Sequence, residues 1–335
     1  MPYFGAHLSI AGGMDRAVER AREIRADCLQ LFVKSPSQWR FSALSETQVE
    51  RFRTLAAMPR PPRGGQPQPG RRGDLLRGRG HRRATTTATQ RHSVAVPPTI
   101  EALPPSNEAA LSPLIGHASY LVNLASPDAA LCEKSWRCVL EEWDRAERLG
   151  LDYLVLHPGA HMGSGAAAGL ARISEALDRL HRERPARVCR ILLETTAGAG
   201  TVLCGRVEHL RYLVQSSESG PRLGVAIDTC HLFAAGYDLR TSAAVDDTLG
   251  KLEAAVGLAR VLVVHANDAR GDLGSGLDRH EHIGRGRLGR AAFRILVNHP
   301  ALSALPFILE TPKQDDAGRK MDPVNLRALR RLAGA

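Results

Sequence analysis

Short runs of apolar residues alternate with longer amphipathic stretches along most of this chain. This alternation is typical of repeated βα units, in which a buried parallel strand is followed by a helix. The eight runs predict strands at 3–7, 28–34, 113–117, 153–157, 188–194, 223–228, 261–265 and 305–310. Eight such units predict an α/β fold of the TIM (β/α)8 barrel class.

The stretches between the predicted strands carry the period of an amphipathic helix. We expect the apolar faces of two of them to pack on the barrel. The first helix follows Gly12 and Gly13, and its apolar positions are Met14, Ala17, Val18, Ala21 and Ile24. The second covers 168–180, and its apolar positions are Leu170, Ile173, Leu177 and Leu180.

One segment, 59–105, does not follow the pattern. The ends of the predicted strands are about 37 residues apart, except for a gap of 83 between the second and third strands. Within that gap, 59–105 is rich in Arg, Pro and Gly and contains nine of the 20 prolines. We predict a disordered insertion in a single domain of residues 1–335. The insertion falls where the second helix belongs, so we expect that helix to be shortened, displaced or missing.

The positive charge of the chain is concentrated in the same segment. The net charge of +10 suggests an anionic partner such as nucleic acid. However, 59–92 contains nine arginines and one acidic residue, so the other 301 residues carry only +2. The segment is either a basic arm that holds nucleic acid non-specifically or an insertion without a role. The second interpretation is favoured.

The chain contains no membrane-spanning pattern, since its apolar runs fall far short of the ~20 residues that cross a bilayer. The first seven residues lack the basic start and long apolar stretch of a secretory signal. We therefore expect a cytoplasmic protein. The six cysteines include no Cys-x-x-Cys pair, so neither a zinc ribbon nor a disulfide framework is indicated.

Residue types that bind metals recur where the predicted strands end. The carboxyl ends of the strands of such a barrel face the active site. A single His or Glu at a strand end is most often hydrogen-bonded or solvated, but six in equivalent positions are hard to obtain by chance. Two motifs, at 228–231 and 278–280, add three more candidates. The nine candidate ligands are His117, His157, Glu194, Asp228, His231, His265, Asp278, His280 and Glu310.

Nine ligands are too many for one metal ion and generous for two, so we infer a cluster of three. Histidine and carboxylate ligands without cysteine favour zinc, manganese or iron. Three divalent cations and four carboxylates would leave the cluster positive, which attracts phosphate. The cluster would also lower the pKa of a bound water toward ~7, which supplies hydroxide for attack on a phosphodiester.

Several motifs of the chain resemble those of the endonuclease IV family, the apurinic/apyrimidinic endonucleases of base excision repair. The resemblance covers the chain outside 59–105. The motifs are GAHLS at 5–9, QWR at 38–40, HASYLVNL at 117–124, LHPGAH at 156–161, LETTAG at 193–198, DTCHLFAAGYD at 228–238, HAND at 265–268, DRH at 278–280 and LET at 309–311.

The resemblance implies a TIM barrel with three zinc ions. Such an enzyme cleaves the phosphodiester 5′ to an abasic site in double-stranded DNA and leaves a 3′-hydroxyl and a 5′-deoxyribose phosphate. Glu194 and Glu310 would be catalytic. The resemblance assigns three ligand sets. His117 and His157 would bind the first zinc, and Glu194 would bridge the first zinc and the second. Asp228, His265 and Glu310 would complete the second site, and His231, Asp278 and His280 would bind the third zinc.

The resemblance also implies DNA contacts from the loops at the barrel mouth, and a monomer. The residues concerned are Gln38, Trp39, Arg40 and Tyr120. Aromatic groups can fill the gap left by a missing base, although Trp39 and Tyr120 would also suit core packing. Family members commonly have an arginine two residues before this tryptophan, and this chain has Ser37 there.

Two other functions are compatible with parts of the pattern. A xylose-isomerase-like sugar isomerase or epimerase would use a Glu, Asp, His and Glu set on the last four strands, which Glu194, Asp228, His265 and Glu310 satisfy. Such an enzyme has no evident need for the other candidate ligands. A catalytically impaired DNA-binding homologue is the second alternative, but all nine ligands are intact.

Overall fold

The computed structural model describes residues 2–40, 42–60 and 110–334, and eight parallel strands within them close into a barrel. The predicted TIM (β/α)8 barrel is therefore confirmed. A separate antiparallel ribbon of two short strands lies among the loops. In chain order the strands are β1 (Tyr3–His7), β2 (Cys28–Phe32), β3 (Leu114–His117), β4 (Tyr153–Leu156), β5 (Arg190–Glu194), β6 (Gly224–Asp228), β7 (Val261–His265), β8 (Asp268–Ala269), β9 (His280–Glu281) and β10 (Pro306–Leu309), of which β8 and β9 form the ribbon.

The helices of the described residues surround the barrel. The two predicted apolar faces are buried as expected, except at Ile24. Ile24 follows the end of its helix and is half-buried. None of these helices is both long and apolar enough to cross a membrane. They are α1 (Met14–Glu23), α2 (Glu46–Ala57), α3 (Ala129–Leu149), α4 (Ala166–Glu183), α5 (Val207–Ser216), α6 (Thr229–Ala234), α7 (Ser242–Val256), α8 (Gly289–Asn298) and α9 (Asp322–Leu332).

The second helix is present, so the expectation that it is shortened, displaced or missing is wrong. Helix α2 has 12 residues, lies before the insertion and contacts α1 and α3. It begins with a capping box, in which the Ser45 hydroxyl accepts from Gln48 N and the Gln48 side chain accepts from Ser45 N. Residues 61–105 of the predicted insertion lie outside the described residues.

Alternation along the strands separates an outer apolar layer from the barrel interior. Neighbouring residues of a strand point to opposite faces, so every second residue points inward. The alternation shifts only in β7, where the pairing with β6 changes register at Leu262. A small cluster of buried residues fills the interior: Cys28, Ile115, Val155, Leu192, Ala226, Leu262, Val263 and Ile308. Two positions beyond such a residue, at the carboxyl end of the barrel, lie His117, His157, Glu194, Asp228, His265 and Glu310. The predicted strand-end ligands therefore share one face.

Candidate metal centre

Glu194 lies at the centre of the site and is completely buried. Its Oε2 atom lies 2.9 Å from His157 Nε2 and 3.3 Å from His117 Nε2. Its Oε1 atom lies 2.8 Å from His265 Nδ1 on the other side. The two oxygens of this carboxylate thus face two different sets of histidines, which is the arrangement that a bridging ligand requires.

The structure brings all nine predicted ligands together in three adjacent groups. Within each group the candidate ligand atoms lie within 4.8 Å of one another. Two of the groups share Glu194, which joins them. The groups are His117, His157 and Glu194, then Glu194, Asp228, His265 and Glu310, and finally His231, Asp278 and His280.

Cys230 forms a further close group with Asp228 and His280. Burial, together with the charge of Asp228, raises the pKa of its thiol to about 12. The thiol also donates to Arg279 O at 3.6 Å, so it already has a partner in the protein. The site therefore depends on nitrogen and oxygen donors.

A tight local turn places His231 in the third group. Asp228 ends β6 and also caps α6, because its Oδ1 atom accepts a hydrogen bond from His231 N at 2.9 Å. The His231 ring then returns toward the barrel mouth, where its Nε2 atom lies 3.2 Å from Asp278 Oδ1. His280 Nε2 lies 3.5 Å from both Asp228 and Asp278.

Backbone carbonyls fix the orientation of three of these histidines. With Nδ1 donating to a carbonyl, Nε2 is left to face the ligand groups, as in metal sites where the second ring nitrogen is hydrogen-bonded. The Nε2 atoms of His231 and His280 are buried and lie 3.2 and 3.5 Å from Asp278 Oδ1, but neither makes a hydrogen bond of acceptable geometry within the described part of the chain. Both atoms suit a bound cation. The anchoring bonds are His117 Nδ1 to Ala118 O (2.7 Å), His231 Nδ1 to Thr195 O (2.8 Å) and His280 Nδ1 to Glu310 O (3.2 Å).

The electrostatics of the site favour positive charge. Burial opposes a charged imidazole, but the carboxylates of Glu310 and Glu194 outweigh it and raise the pKa of His265 to about 9. Burial likewise opposes a charged carboxylate, but His157 and His265 hold the pKa of Glu194 well below its usual value. The carboxylates of Glu194 and Glu310 therefore stay ionised. Protons on the neighbouring histidines balance their charge at a site that is suited to divalent cations.

Asp268 holds the loop 284–288 in place, a role that the sequence did not predict. This buried carboxylate accepts hydrogen bonds from Gly284 N, Gly286 N and Leu288 N at 2.9–3.0 Å. It lies in β8, which pairs with the strand that contains His280. Its place in the HAND motif at 265–268 was the available signal.

A cleft of about 470 Å³ opens above the three groups. Beside the candidate ligands it is lined by Tyr120, Arg270, Arg279 and Pro312. Both arginines are exposed, and Arg270 pairs with Glu281 at 3.1 Å. No sequence pattern pointed to either arginine, although Arg279 stands between two predicted ligands.

The four predicted DNA contacts lie on two neighbouring loops. Tyr120 is 68% exposed at the edge of the cleft, so core packing is the wrong alternative for it. Trp39 is half-buried against the hydrophobic core, and the Lys134 amine lies 4.2 Å from its ring centroid. Gln38 and Arg40 are exposed beside it, outside the lining of the cleft.

Comparisons with known proteins identify the family of this chain. Residues 107–332 match the family of xylose isomerase-like TIM barrels. Over 336 aligned residues the chain is 40% identical to a probable endonuclease 4 of Chloroflexus aggregans, and the alignment covers 100% of both. It is 34% identical to endonuclease IV from Thermus thermophilus, whose crystal structure matches with a TM-score of 0.74 over 99% of this chain and 98% of that one. A D-tagatose 3-epimerase-like protein, with 17% identity and a TM-score of 0.62 over 98% and 96% of the two chains, shares the fold alone. The chain belongs to the endonuclease IV family.

Proposed function

We propose that the chain is a metal-dependent endonuclease that hydrolyses the phosphodiester 5′ to an abasic site in double-stranded DNA. The products are a 3′-hydroxyl and a 5′-deoxyribose phosphate. The observation that carries this proposal is the set of three adjacent ligand groups, two of them joined by Glu194, beneath one open cleft. A phosphodiester in that cleft would lie beside all three groups.

The proposed metal content is three zinc ions, one for each ligand group. The donor set of imidazoles and carboxylates without thiolate suits zinc at a catalytic site. The buried Nε2 atoms of His231 and His280, which make no hydrogen bond to the described residues, support this content. Bound divalent cations supply positive charge that activates water and stabilises the negative phosphate oxygens.

Glu194 and Glu310 are the proposed catalytic residues. The pKa of each carboxyl is held well below its usual value, because nearby histidines outweigh the effect of burial. Both groups are therefore acceptors at neutral pH and cannot act as general acids. Their role would be to hold the proposed cations beside the phosphodiester, where the cations would supply a bound water for attack on phosphorus.

DNA would approach over the exposed residues of the two loops and the cleft. Arg270 and Arg279 present positive charge to phosphates, and Tyr120 presents an aromatic ring that can stack where a base is missing. An abasic nucleotide turns out of the helix at lower cost because no base pair is broken. Gln38, Trp39 and Arg40 would contact the duplex beside the cleft.

The remaining organisation is proposed on the same basis. The protein is a cytoplasmic monomer with a single domain of residues 1–335, and 59–105 is a low-complexity insertion. The apolar core of the described residues is continuous around the barrel, which supports one domain.

The two alternative functions explain less of the site. A sugar isomerase or epimerase accounts for the group of Glu194, Asp228, His265 and Glu310 but leaves the third group without a task. A catalytically impaired DNA-binding homologue leaves the convergence of nine ligands unexplained.

The direct test uses a DNA duplex with one abasic site and zinc-loaded protein. We expect incision on the 5′ side, about three zinc ions per chain by elemental analysis, and loss of incision in Glu194→Gln. The matched control is Glu208→Gln, which changes an exposed glutamate outside the site and should cut normally. Folded, zinc-loaded protein that leaves the duplex intact would refute the endonuclease, and a content near one zinc would favour the isomerase.

A further inference from the structure

The inward face of the barrel carries a ring of polar residues at its carboxyl end. Six members of this ring are proposed ligands, and the other two are His7 on β1 and Gln30 on β2. Gln30 stands two positions after Cys28 of the interior cluster, so its side chain points inward as well. It is completely buried and lies opposite His7 in the strand pairing.

Each polar atom of the Gln30 amide has a partner in the site. Its Oε1 atom lies 2.8 Å from His265 Nε2. Its Nε2 atom donates to Glu310 Oε1 at 2.6 Å and lies 3.0 Å from His7 Nδ1. An ionised carboxylate accepts hydrogen bonds only, so the amide nitrogen must face Glu310 and the amide oxygen must face His265. His265 therefore donates through Nε2.

This assignment leaves the other nitrogen of His265 directed into the second ligand group. His265 Nδ1 lies 2.8 Å from Glu194 Oε1 and 3.3 Å from Glu310 Oε2. Because Gln30 holds Oε1 of Glu310, the Oε2 atom of that carboxylate is the one that faces His265. A single amide thus sets the direction of two ligands.

We propose that Gln30 is a positioning residue of the second metal group, an inference that rests on the proposed metal centre. Its carbonyl keeps the proton of His265 on Nε2, and its amino group fixes the rotation of the Glu310 carboxylate. The anchors of His117, His231 and His280 are backbone carbonyls, which no substitution removes. The anchor of His265 is a side chain, so its contribution can be measured.

The first measurement compares metal affinity in Gln30→Leu and in wild-type protein by competition with a zinc chelator. Loss of such a hydrogen-bond partner typically weakens metal binding 10–100-fold. We expect the affinity for one of the three zinc ions to fall by this factor in Gln30→Leu and the affinities for the other two to stay unchanged. The matched control is Cys28→Ala, which changes the neighbouring inward position of β2 without touching a ligand and should retain all three affinities.

The second measurement reads the nitrogen that binds metal. In cadmium-loaded, ¹⁵N-histidine-labelled wild-type protein, we expect metal coupling to Nδ1 of His265 and to Nε2 of His117 and His231. This experiment needs no variant, so it decides even where Gln30→Leu fails to fold. Coupling of His265 through Nε2 would overturn the proposal, as would unchanged zinc affinity in Gln30→Leu.

These outcomes separate this inference from the proposed function. Wild-type protein that binds three zinc ions and cuts abasic DNA, together with a Gln30→Leu variant of normal affinity, would reject the role of Gln30 alone. Wild-type protein that binds no zinc in the second group would reject both.

Discussion

His265 combines complete burial with a pKa raised to about 9 by Glu310 and Glu194. At pH 7 the metal-free imidazole therefore carries a proton on both nitrogens. A metal ion binds only a neutral imidazole nitrogen, so it must displace one of these protons. Metal binding and proton release are consequently linked at this residue.

We expect zinc binding to metal-free protein at pH 7 to release protons. Since the pKa of His265 lies above 7, the apparent affinity should rise from pH 6 to pH 8 and this residue's contribution should level off above about 9. Calorimetric titration in two buffers with different ionisation enthalpies measures the number released. His299→Gln, which changes a histidine outside the site, should give the same number. Equal heats in both buffers would contradict the linkage.

At the scale of elements, a buried ion pair joins α3 to the loops that follow β2 and β3. Lys34 Nζ lies 3.3 Å from Glu142 Oε1, and both side chains are shielded from solvent. Lys34 also donates to Gln38 O at 2.5 Å, and Glu142 accepts from Ser119 N at 3.2 Å. The pair therefore holds together the loops that carry the predicted DNA contacts.

Glu142→Gln should lower the free energy of unfolding by about 3–5 kcal/mol, because it removes the negative charge that faces the buried Lys34 ammonium. Urea denaturation measures the loss. The control is Asp247→Asn, which breaks the exposed pair of Lys251 and Asp247 and should change stability by under about 0.5 kcal/mol. A loss no larger than in the control would show that the buried pair contributes little.

The elements differ in how well the sequence predicts them. The barrel strands were predictable because buried parallel strands are continuous apolar runs. The predicted strand 28–34 is two residues too long, because the strand ends at Phe32. That error put Lys34 at the strand end, but Gln30 lies inside the strand with either boundary, so a search of strand ends passes over it. Strands β8 and β9 have two residues each and carry no detectable period.

The residues of the candidate site were predictable where a typical metal-binding residue type stood at the end of a predicted strand. His117 and Glu194 stand at strand ends and are typical metal ligands, whereas the amide of Gln30 is not. Arg270 and Arg279 belong to a loop, and only the folded chain brings that loop to the cleft. Helix α2 could have been predicted from its capping box at Ser45, but its place was assigned to the insertion.

At the scale of the whole molecule, the described residues on either side of 61–109 contact the same part of the barrel. Arg60 forms an ion pair with the buried Asp27. After the segment 61–109, Ser112 N donates to Asp27 O at 3.0 Å, and Leu111 N donates to Ala56 O at 3.2 Å. The two flanks of 61–109 therefore meet at the same place, next to the carboxyl end of α2.

We expect a chain in which 61–109 is replaced by a Gly/Ser linker of about six residues to fold and to retain incision, because loop length costs little once the flanks are held together. Arg60 is kept in this variant because of its bond to Asp27. Thermal unfolding and incision of an abasic duplex at several salt concentrations measure the outcome. The removed segment contains eight arginines, so a salt dependence of DNA binding that becomes shallower would reveal a basic arm.

The matched variant keeps the segment's length and replaces those eight arginines with serine. If the arm holds DNA, both variants should show the same shallower salt dependence at unchanged stability. If the insertion has no role, both should behave as the wild-type chain does. A linker variant that fails to fold while the serine variant folds would contradict the prediction, since it would mean that barrel closure depends on the chain between Arg60 and Ala110.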